Sequence, residues 1–279
     1  MQVIHDAAGL PPFHGGMFVP TMGALHEGHF TLVREAAKRR ASGASRPPVI
    51  VSIFVNPTQF NDPKDLERYP RTLDQDAAGC ERAGADVLFA PSADVIYPPG
   101  VTIPTPHLPA VASEPKLEDA HRPGHFAGVC QVVNRLFDLV LPSAAFFGEK
   151  DWQQFQVIAA MTRRQRRPIQ IVPIPTIREP DGLAMSSRNV FLKGEDRARA
   201  RALSEALRVA AMKRSPTEAE NAMAEVLLDR GVEPEYAVVR HAETLLPPGL
   251  NPSKDDPLRA LIAARIGPVR LIDNAHLLL

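Results

Sequence analysis

The sequence predicts an α/β protein: a parallel-sheet domain over residues 1–178, followed by a smaller α+β domain over 179–279. Three observations predict it. Apolar strand-like runs alternate with amphipathic helical segments as far as Arg178, the pattern of a parallel sheet covered by helices. One of those runs, PVIVSIFVNP (Pro48–Pro57), is almost continuously apolar and rich in Val and Ile, as a central strand buried on both faces must be. Beyond Arg178 the alternation stops, and a polar, turn-rich stretch leads into two helical segments and two strand-like runs.

The elements follow in order. GMFVP (Gly16–Pro20) is a short strand, and HFTLVREAAKRRA after it carries Phe30, Val33 and Ala37 on one helical face. PVIVSIFVNP is the next strand, TLDQDAAGCERAG a helix, and ADVLFAP (Ala85–Pro91) a third strand. GVCQVVNRLFDLVL (Gly128–Leu141) is amphipathic, AAFFGEKDWQQFQVIAAMTRR reads as strand, turn and helix, and IQIVPIPTI (Ile169–Ile177) as a further strand. Strand–helix–strand repeats of this kind require parallel pairing with right-handed crossovers. In the second domain, Gly194–Met212 and Thr217–Arg230 read as helices, and EYAVVRHA and PVRLIDNAHLL as strands.

Composition narrows the function. The chain of 279 residues has 32 Lys+Arg against 32 Asp+Glu, so no charge excess argues for wrapping nucleic acid or lying on an anionic membrane. Any anion site must be local. No apolar run approaches the roughly 20 residues of a membrane span, and the start lacks the pattern of a signal peptide. Cys80 and Cys130 give neither a metal spacing nor a disulfide framework. The expectation is a cytoplasmic protein acting on small molecules.

Polar clusters recur at the ends of the apolar runs, where α/β folds collect ligands. The first is VPTMGALHEGHFTLV (Val19–Val33). His26 and His29 fall at the first turn of a helix, where free N–H groups and the helix dipole favour an anion, and Gly28 leaves room for close approach. A zinc site is the weaker reading, because metalloprotease helices space their histidines four apart (H-E-x-x-H) and a third ligand is not evident nearby. Two helix-capping histidines without a ligand are the bland alternative. In FFGEKDWQQF, Lys150 could set a point charge on phosphate oxygens, Asp151 could accept from ribose hydroxyls, and Gln154 would face the same crevice. In GLAMSSRN, Ser186, Ser187 and Arg188 could close over a triphosphate. Asn56 and Gln59 in FVNPTQF suit a hydroxylated substrate, and Arg122 and His125 in HRPGHF could pair with a carboxylate and line its pocket. Asp74 and Asp76 could help hold Mg²⁺, or could simply face water. A nucleotide triphosphate site accommodates all the clusters at once.

Taken together, PTMGALHEGH, FVNPTQF, RYPRTL, RPGHF, FFGEKDWQQ, REPDGLAMSSRN and the closing RLIDN resemble the pantoate–β-alanine ligases, in order and over nearly the whole chain. The H-x-G-H and S-S-R features are shared with the wider nucleotidylyltransferase superfamily; the FVNPTQF, GEKDWQQ and DGLAMSSRN strings are specific to the ligase. The resemblance implies a Rossmann-like N-terminal domain, a C-terminal domain that closes over the site, a homodimer, and ATP with Mg²⁺. It implies an ATP site lined by Met22, Gly23, Ala24, Leu25, His26, Glu27, Gly28 and His29, with His29 the catalytic position. Gly148, Glu149, Lys150 and Asp151 would bind ribose and phosphate, Ile177 would offer backbone contacts to adenine, and Met185 to Arg188 would form a clamp. Gln59 and Gln154 would hold pantoate, with Asn56, Arg122 and His125 close by, and Asp76 is the better match to a metal ligand. Three positions depart from the pattern: Gln75 separates Asp74 from Asp76, Ala127 stands where a basic residue is frequent, and Asp119 where Gly is frequent. The implied reaction passes through a pantoyl adenylate. The rival readings are a nucleotidyltransferase that leaves the nucleotide on its product, a nucleotide-binding module without turnover, and a zinc hydrolase.

Overall fold

The computed structural model describes residues 1–41, 46–60, 63–249 and 256–278. The chain forms two compact units, Met1–Gly148 with Val157–Pro175, and Glu149–Gln156 with Thr176–Leu279.

In the first unit, strands β1 (Gln2–Ile4), β2 (Met17–Thr21), β3 (Val49–Ile53), β4 (Val87–Phe89), β5 (Ala144–Gly148) and β6 (Gln170–Ile174) make one parallel sheet in the order β1-β4-β3-β2-β5-β6. They are linked through α1 (Glu27–Ala41), α2 (Pro63–Arg68), α3 (Leu73–Ala83), α4 (Ala93–Ile96), α5 (Glu118–His121), α6 (His125–Val140) and α7 (Trp152–Arg164). The architecture is Rossmann-like. Val49, Ile50 and Val51 of β3 are wholly inaccessible, which is why that run shows no polar alternation. Strand β1, not anticipated from the sequence, is three residues long with only Ile4 buried, too short to carry a pattern. Pairing steps one way from β2 to β3 and β4, and the other way to β5 and β6, so the topological switch lies between β2 and β5.

In the second unit, β7 (Pro234–His241), β8 (Leu258–Ile266) and β9 (Val269–Leu277) form an antiparallel sheet in that order. The Gly194–Met212 segment is two helices, α8 (Gly194–Ala200) and α9 (Ala202–Ala210), and α10 (Pro216–Asp229) follows. Leu203, Leu207 and Met223 of α9 and α10 pack on Ile262, Ala264, Leu271 and Leu277 of the sheet. The sequence reading had two closing strands and missed β8. LRALIAARI is buried at all but one position, so it lacks alternation, and its alanines fit a helix equally well. Among the described residues, no helix is long and apolar enough to cross a membrane.

Candidate active site

The ladder between β2 and β5 stops at Phe18 and Ala145, while β2 runs on to Thr21 and β5 to Gly148. The strands therefore part at their carboxyl ends, at the switch point, where this fold class receives ligands. The chain leaving β2 turns sharply through Gly23 (φ 85°) and Ala24 (φ 51°) before entering α1. A side chain at Gly23 would sit 3.0 Å from Ile53 and 3.3 Å from the Asp76 carboxylate, so only glycine serves there.

The two histidines are held by the turn they stand on. The His26 carbonyl accepts the first helical bond of α1, from Phe30 N–H, and the His26 Nδ1 accepts the Gly28 N–H at 3.1 Å. His26 is thus the N-cap of α1. The His29 Nδ1 accepts the His26 N–H at 3.3 Å, and the ring centroids lie 4.1 Å apart. A backbone N–H can only donate, so each Nδ1 presents its lone pair and each ring carries its proton on Nε2. The sequence reading expected free backbone N–H groups to meet an anion. Two of them, on His26 and Gly28, are instead engaged by the rings. The capping alternative and the donor reading are therefore compatible.

Asp76, at the first turn of α3, holds the same turn from the other side. Its Oδ2 accepts the Ala24 N–H at 2.9 Å and its Oδ1 the Leu25 N–H at 2.8 Å and the Thr72 hydroxyl at 3.2 Å. Tyr69 adds a long bond from its hydroxyl to the Gly23 carbonyl, 3.4 Å. α3 lies close enough to α1 to do this because Gly79 faces the Phe30 ring, where a Cβ would fall 2.2 Å from ring carbon. Asp76 is 2% exposed, and neither of its oxygens lacks a protein donor; Asp74 is exposed.

The amide-rich turn after β3 meets the N-terminus of α6. Asn56 caps the turn Pro57–Gln59: its Oδ1 accepts from Thr58 N–H, the Thr58 hydroxyl and, at 2.9 Å, the Tyr97 hydroxyl, and its Nδ2 donates to the Gly128 carbonyl. The buried Gln59 offers its carbonyl to His125 Nδ1–H at 3.1 Å, with Arg122 at 3.5 Å. Gln59, Arg122 and His125 are thereby brought together, while Asn56 holds their scaffold. Gly128 makes this possible, since a Cβ there would lie 2.5 Å from the Thr58 carbonyl oxygen. Sequence reasoning missed Tyr97 and Gly128; the string GHFAG held the only signal, a glycine inside an otherwise strong helix.

Apart from Gly148, which ends β5 in the first unit, the remaining site residues belong to the second unit. Lys150 and Asp151 lie in the 3-10 turn Glu149–Asp151, with Lys150 Nζ 3.8 Å from the Asp151 carboxylate. Gln154 is partly exposed on the first turn of α7. The stretch from Ile177 to Asn189 is a tied hairpin rather than an open linker. Met185 N–H donates to the Ile177 carbonyl, Glu179 N–H to Leu183, and Gly182 turns the chain at φ 90°. Arg197 bridges Glu179 and Asp181, and Asn189 Nδ2 donates to Glu179 and to the Ala184 carbonyl. Ser186 caps the 3-10 turn Ser187–Phe191, its hydroxyl accepting from Arg188 N–H at 3.3 Å, and Ser187 and Arg188 are partly exposed. The Arg197 bonds hold the Glu179 carboxyl below its ordinary value.

A Rossmann-like sheet whose strands part at a two-histidine helix cap, with polar turns at neighbouring strand ends, is the arrangement in which α/β enzymes receive their ligands. The family described as Pantoate-beta-alanine ligase matches residues 14–276. The chain is 48% identical over 269 residues to a pantothenate synthetase of Rubrobacter xylanophilus (93% of this chain, 90% of the relative), and 46% identical over 273 residues to one of Nocardioides sp. (94% and 78%). Among solved structures, the pantothenate synthetase of Thermus thermophilus superposes with a TM-score of 0.88 at 42% identity, covering 99% of both chains. The pantoate-beta-alanine ligase of Francisella tularensis, complexed with beta-gamma ATP and beta-alanine, gives 0.76 at 34% identity, over 99% of this chain and 97% of the other. The chain belongs to the pantoate–β-alanine ligase family. It is an enzyme, a ligase that condenses pantoate with β-alanine.

Among the described residues no group of three or more His, Cys, Asp or Glu is gathered to hold a metal ion, and the carboxylate of Asp76 is committed to Ala24 and Leu25.

Proposed function

We propose that the condensation is driven by ATP through a pantoyl adenylate. A pantoate carboxylate oxygen attacks the α-phosphorus of ATP, the bond to the bridging oxygen breaks, and pyrophosphate leaves with the electron pair. The neutral amine of β-alanine then attacks the activated carbonyl; AMP leaves, and the nitrogen gives up a proton to form the amide. Chemistry of this kind asks the protein for positioning and for stabilisation of charge on the phosphate oxygens.

The observation that carries this reading is the histidine turn: two imidazoles fixed as Nε2–H donors by backbone N–H groups at the parting of β2 and β5. In the proposed roles, His26 and His29 donate to phosphate oxygens, with His29 foremost in catalysis, and Met22 to Leu25, Glu27 and Gly28 line the nucleotide. Lys150 adds a point charge on phosphate, Gly148, Glu149 and Asp151 serve the ribose, and Ile177 offers backbone contacts to the adenine. Met185, Ser186, Ser187 and Arg188 clamp the phosphates. Gln59 and Gln154 hold pantoate, with Arg122 and His125 beside it and Asn56 behind Gln59. Resemblance to the family supports these assignments, together with Mg²⁺ as the companion of ATP, a homodimer and a cytoplasmic location. Charge on the phosphates would be stabilised by His26, His29, Lys150 and Arg188 beside the cation.

Product analysis tests the reading. Complete turnover yields AMP and pyrophosphate in amounts equal to the amide formed. Accumulation of ADP, or of a product that retains the nucleotide, overturns it.

A further inference from the structure

Strand β9 contains the pair Asp273-Asn274, and successive strand side chains point to opposite faces. Both are buried, 2% and 4% exposed. Asp273 shares the helix-covered face with Leu271 and Leu277. There its carboxylate takes a two-pronged ion pair from Arg178, at 2.7 and 3.0 Å, and the same guanidinium donates to the Gly182 carbonyl at 3.1 Å. That fixes the base of the 177–189 hairpin. Asn274 points the other way. Its Nδ2 donates to the carbonyls of both Glu149 and Lys150, each at 2.9 Å, and its Oδ1 accepts from Arg259. Arg259 in turn holds the Glu149 carboxylate at 3.2 Å and lies 3.4 Å over the centre of the Trp152 ring, whose N–H donates to the Ala242 carbonyl at 2.6 Å.

By sequence, Lys150 follows β5 of the large sheet. By bonding, its backbone is held by the small sheet: the segment Glu149–Gln156 belongs to the second compact unit. We propose that Asp273 and Asn274 are positioning residues for the ligase reaction, one for the Ser186–Arg188 loop and the other for Lys150, so that a single strand sets both groups. This rests on the roles given above to Lys150 and Arg188. The bonds are strong enough for the task. Two donors on one amide and a bidentate Arg–carboxylate pair leave each loop base little freedom, and a positioning error near 1 Å reduces rate on the order of 10²-fold.

The test is a pair of double-mutant cycles on the full chain, read as kcat with folding checked by thermal melting. Asn274→Ala should lower kcat on the order of 10²-fold. Lys150→Ala should do at least as much. The double variant Lys150→Ala/Asn274→Ala should be no slower than Lys150→Ala by more than about threefold, because a misplaced lysine and an absent one are the same loss. Asp273→Asn with Arg188→Ala forms the second cycle, with the same expectation. Where Asn274→Ala does not fold, Asn274→Ser takes its place in the cycle. Effects that multiply in both cycles overturn the proposal, as does Asn274→Ala or Asn274→Ser at full rate. Lys150→Ala at full rate overturns the role of Lys150 itself, and the Asn274 arm falls with it; multiplication beside a slow Lys150→Ala leaves that role standing and removes only the positioning.

Discussion

The carboxylate of Asp76 accepts the backbone N–H of Leu25 at 2.8 Å, across 51 residues of chain, and with its second oxygen the N–H of Ala24 at 2.9 Å. It holds a strained turn whose Ala24 sits at positive φ, one residue before Leu25 and the histidine cap. Asp76→Ala leaves both N–H groups without their acceptor, an expected loss of about 1–3 kcal/mol for each one kept from water. kcat should fall together with melting temperature, while the Mg²⁺ concentration giving half-maximal rate stays where it is. A large shift in that concentration at unchanged stability would make Asp76 a metal ligand instead. Asp76→Asn, which keeps one acceptor, should lie between wild type and Asp76→Ala in both respects.

The imidazoles of His26 and His29 carry a separate prediction. Nitrogen NMR of the folded protein should show the Nε2–H tautomer for both rings. His26→Ala should reduce stability by about 0.5–2 kcal/mol through loss of the cap, and the rate on the order of 10²–10³-fold through loss of the donor. His29→Ala should reduce the rate equally with a smaller change in stability. Either ring found as the Nδ1–H tautomer would remove the geometry from which their donor role is drawn.

Much of this was legible in the sequence. The Val/Ile run of β3, strand β2 to within one residue of its end at Thr21, and the position of His26 and His29 at a helix start all follow from apolar patterning and turn residues, whereas β3 stops at Ile53, four residues short of the Pro57 that closes its apolar run. What patterning could not show is contact between distant segments. In the sequence Asp76 reads as a carboxylate that could help hold Mg²⁺; its hold on the Ala24–Leu25 turn shows only once α3 is seen packed on α1 through Gly79. Asn274 and Arg259 read as polar residues in a strand, and Lys150 as part of the large domain, until the small sheet is seen to carry the loop. β8 was invisible for a related reason: a strand covered on both faces loses the alternation by which strands are read.

The two cysteines should be chemically silent. Burial pushes the Cys80 thiol up to about 12, with the Asp76 charge adding to it, and burial alone does the same for Cys130. A thiolate is the reactive form, so a disulfide-exchange reagent at neutral pH should titrate neither in the native protein and both after denaturation. Rapid native reaction of either one would show that α3 or α6 opens locally.

Acid should loosen the 177–189 hairpin. Glu179 is held below its ordinary 4.5, first by its bond from Arg197, so the folded carboxyl binds its proton less readily than the unfolded one. Asp181 is likewise lowered: burial opposes the shift, but the bonds from Arg197 and Leu183 outweigh it. Such groups contribute stability above the unfolded pKa, and the contribution is lost as pH falls through the folded one. Melting temperature should therefore fall more steeply below about pH 4.5 in wild type than in Arg197→Gln. Equal slopes would mean the ion pair adds nothing to the fold.

The adenylate is tested most directly by isotope exchange. With ATP, Mg²⁺ and pantoate present and β-alanine withheld, labelled pyrophosphate should enter ATP at a rate that depends on pantoate, and His29→Ala should slow that exchange on the order of 10²–10³-fold. Folded, condensation-competent enzyme that shows no pantoate-dependent exchange would contradict the two-step route.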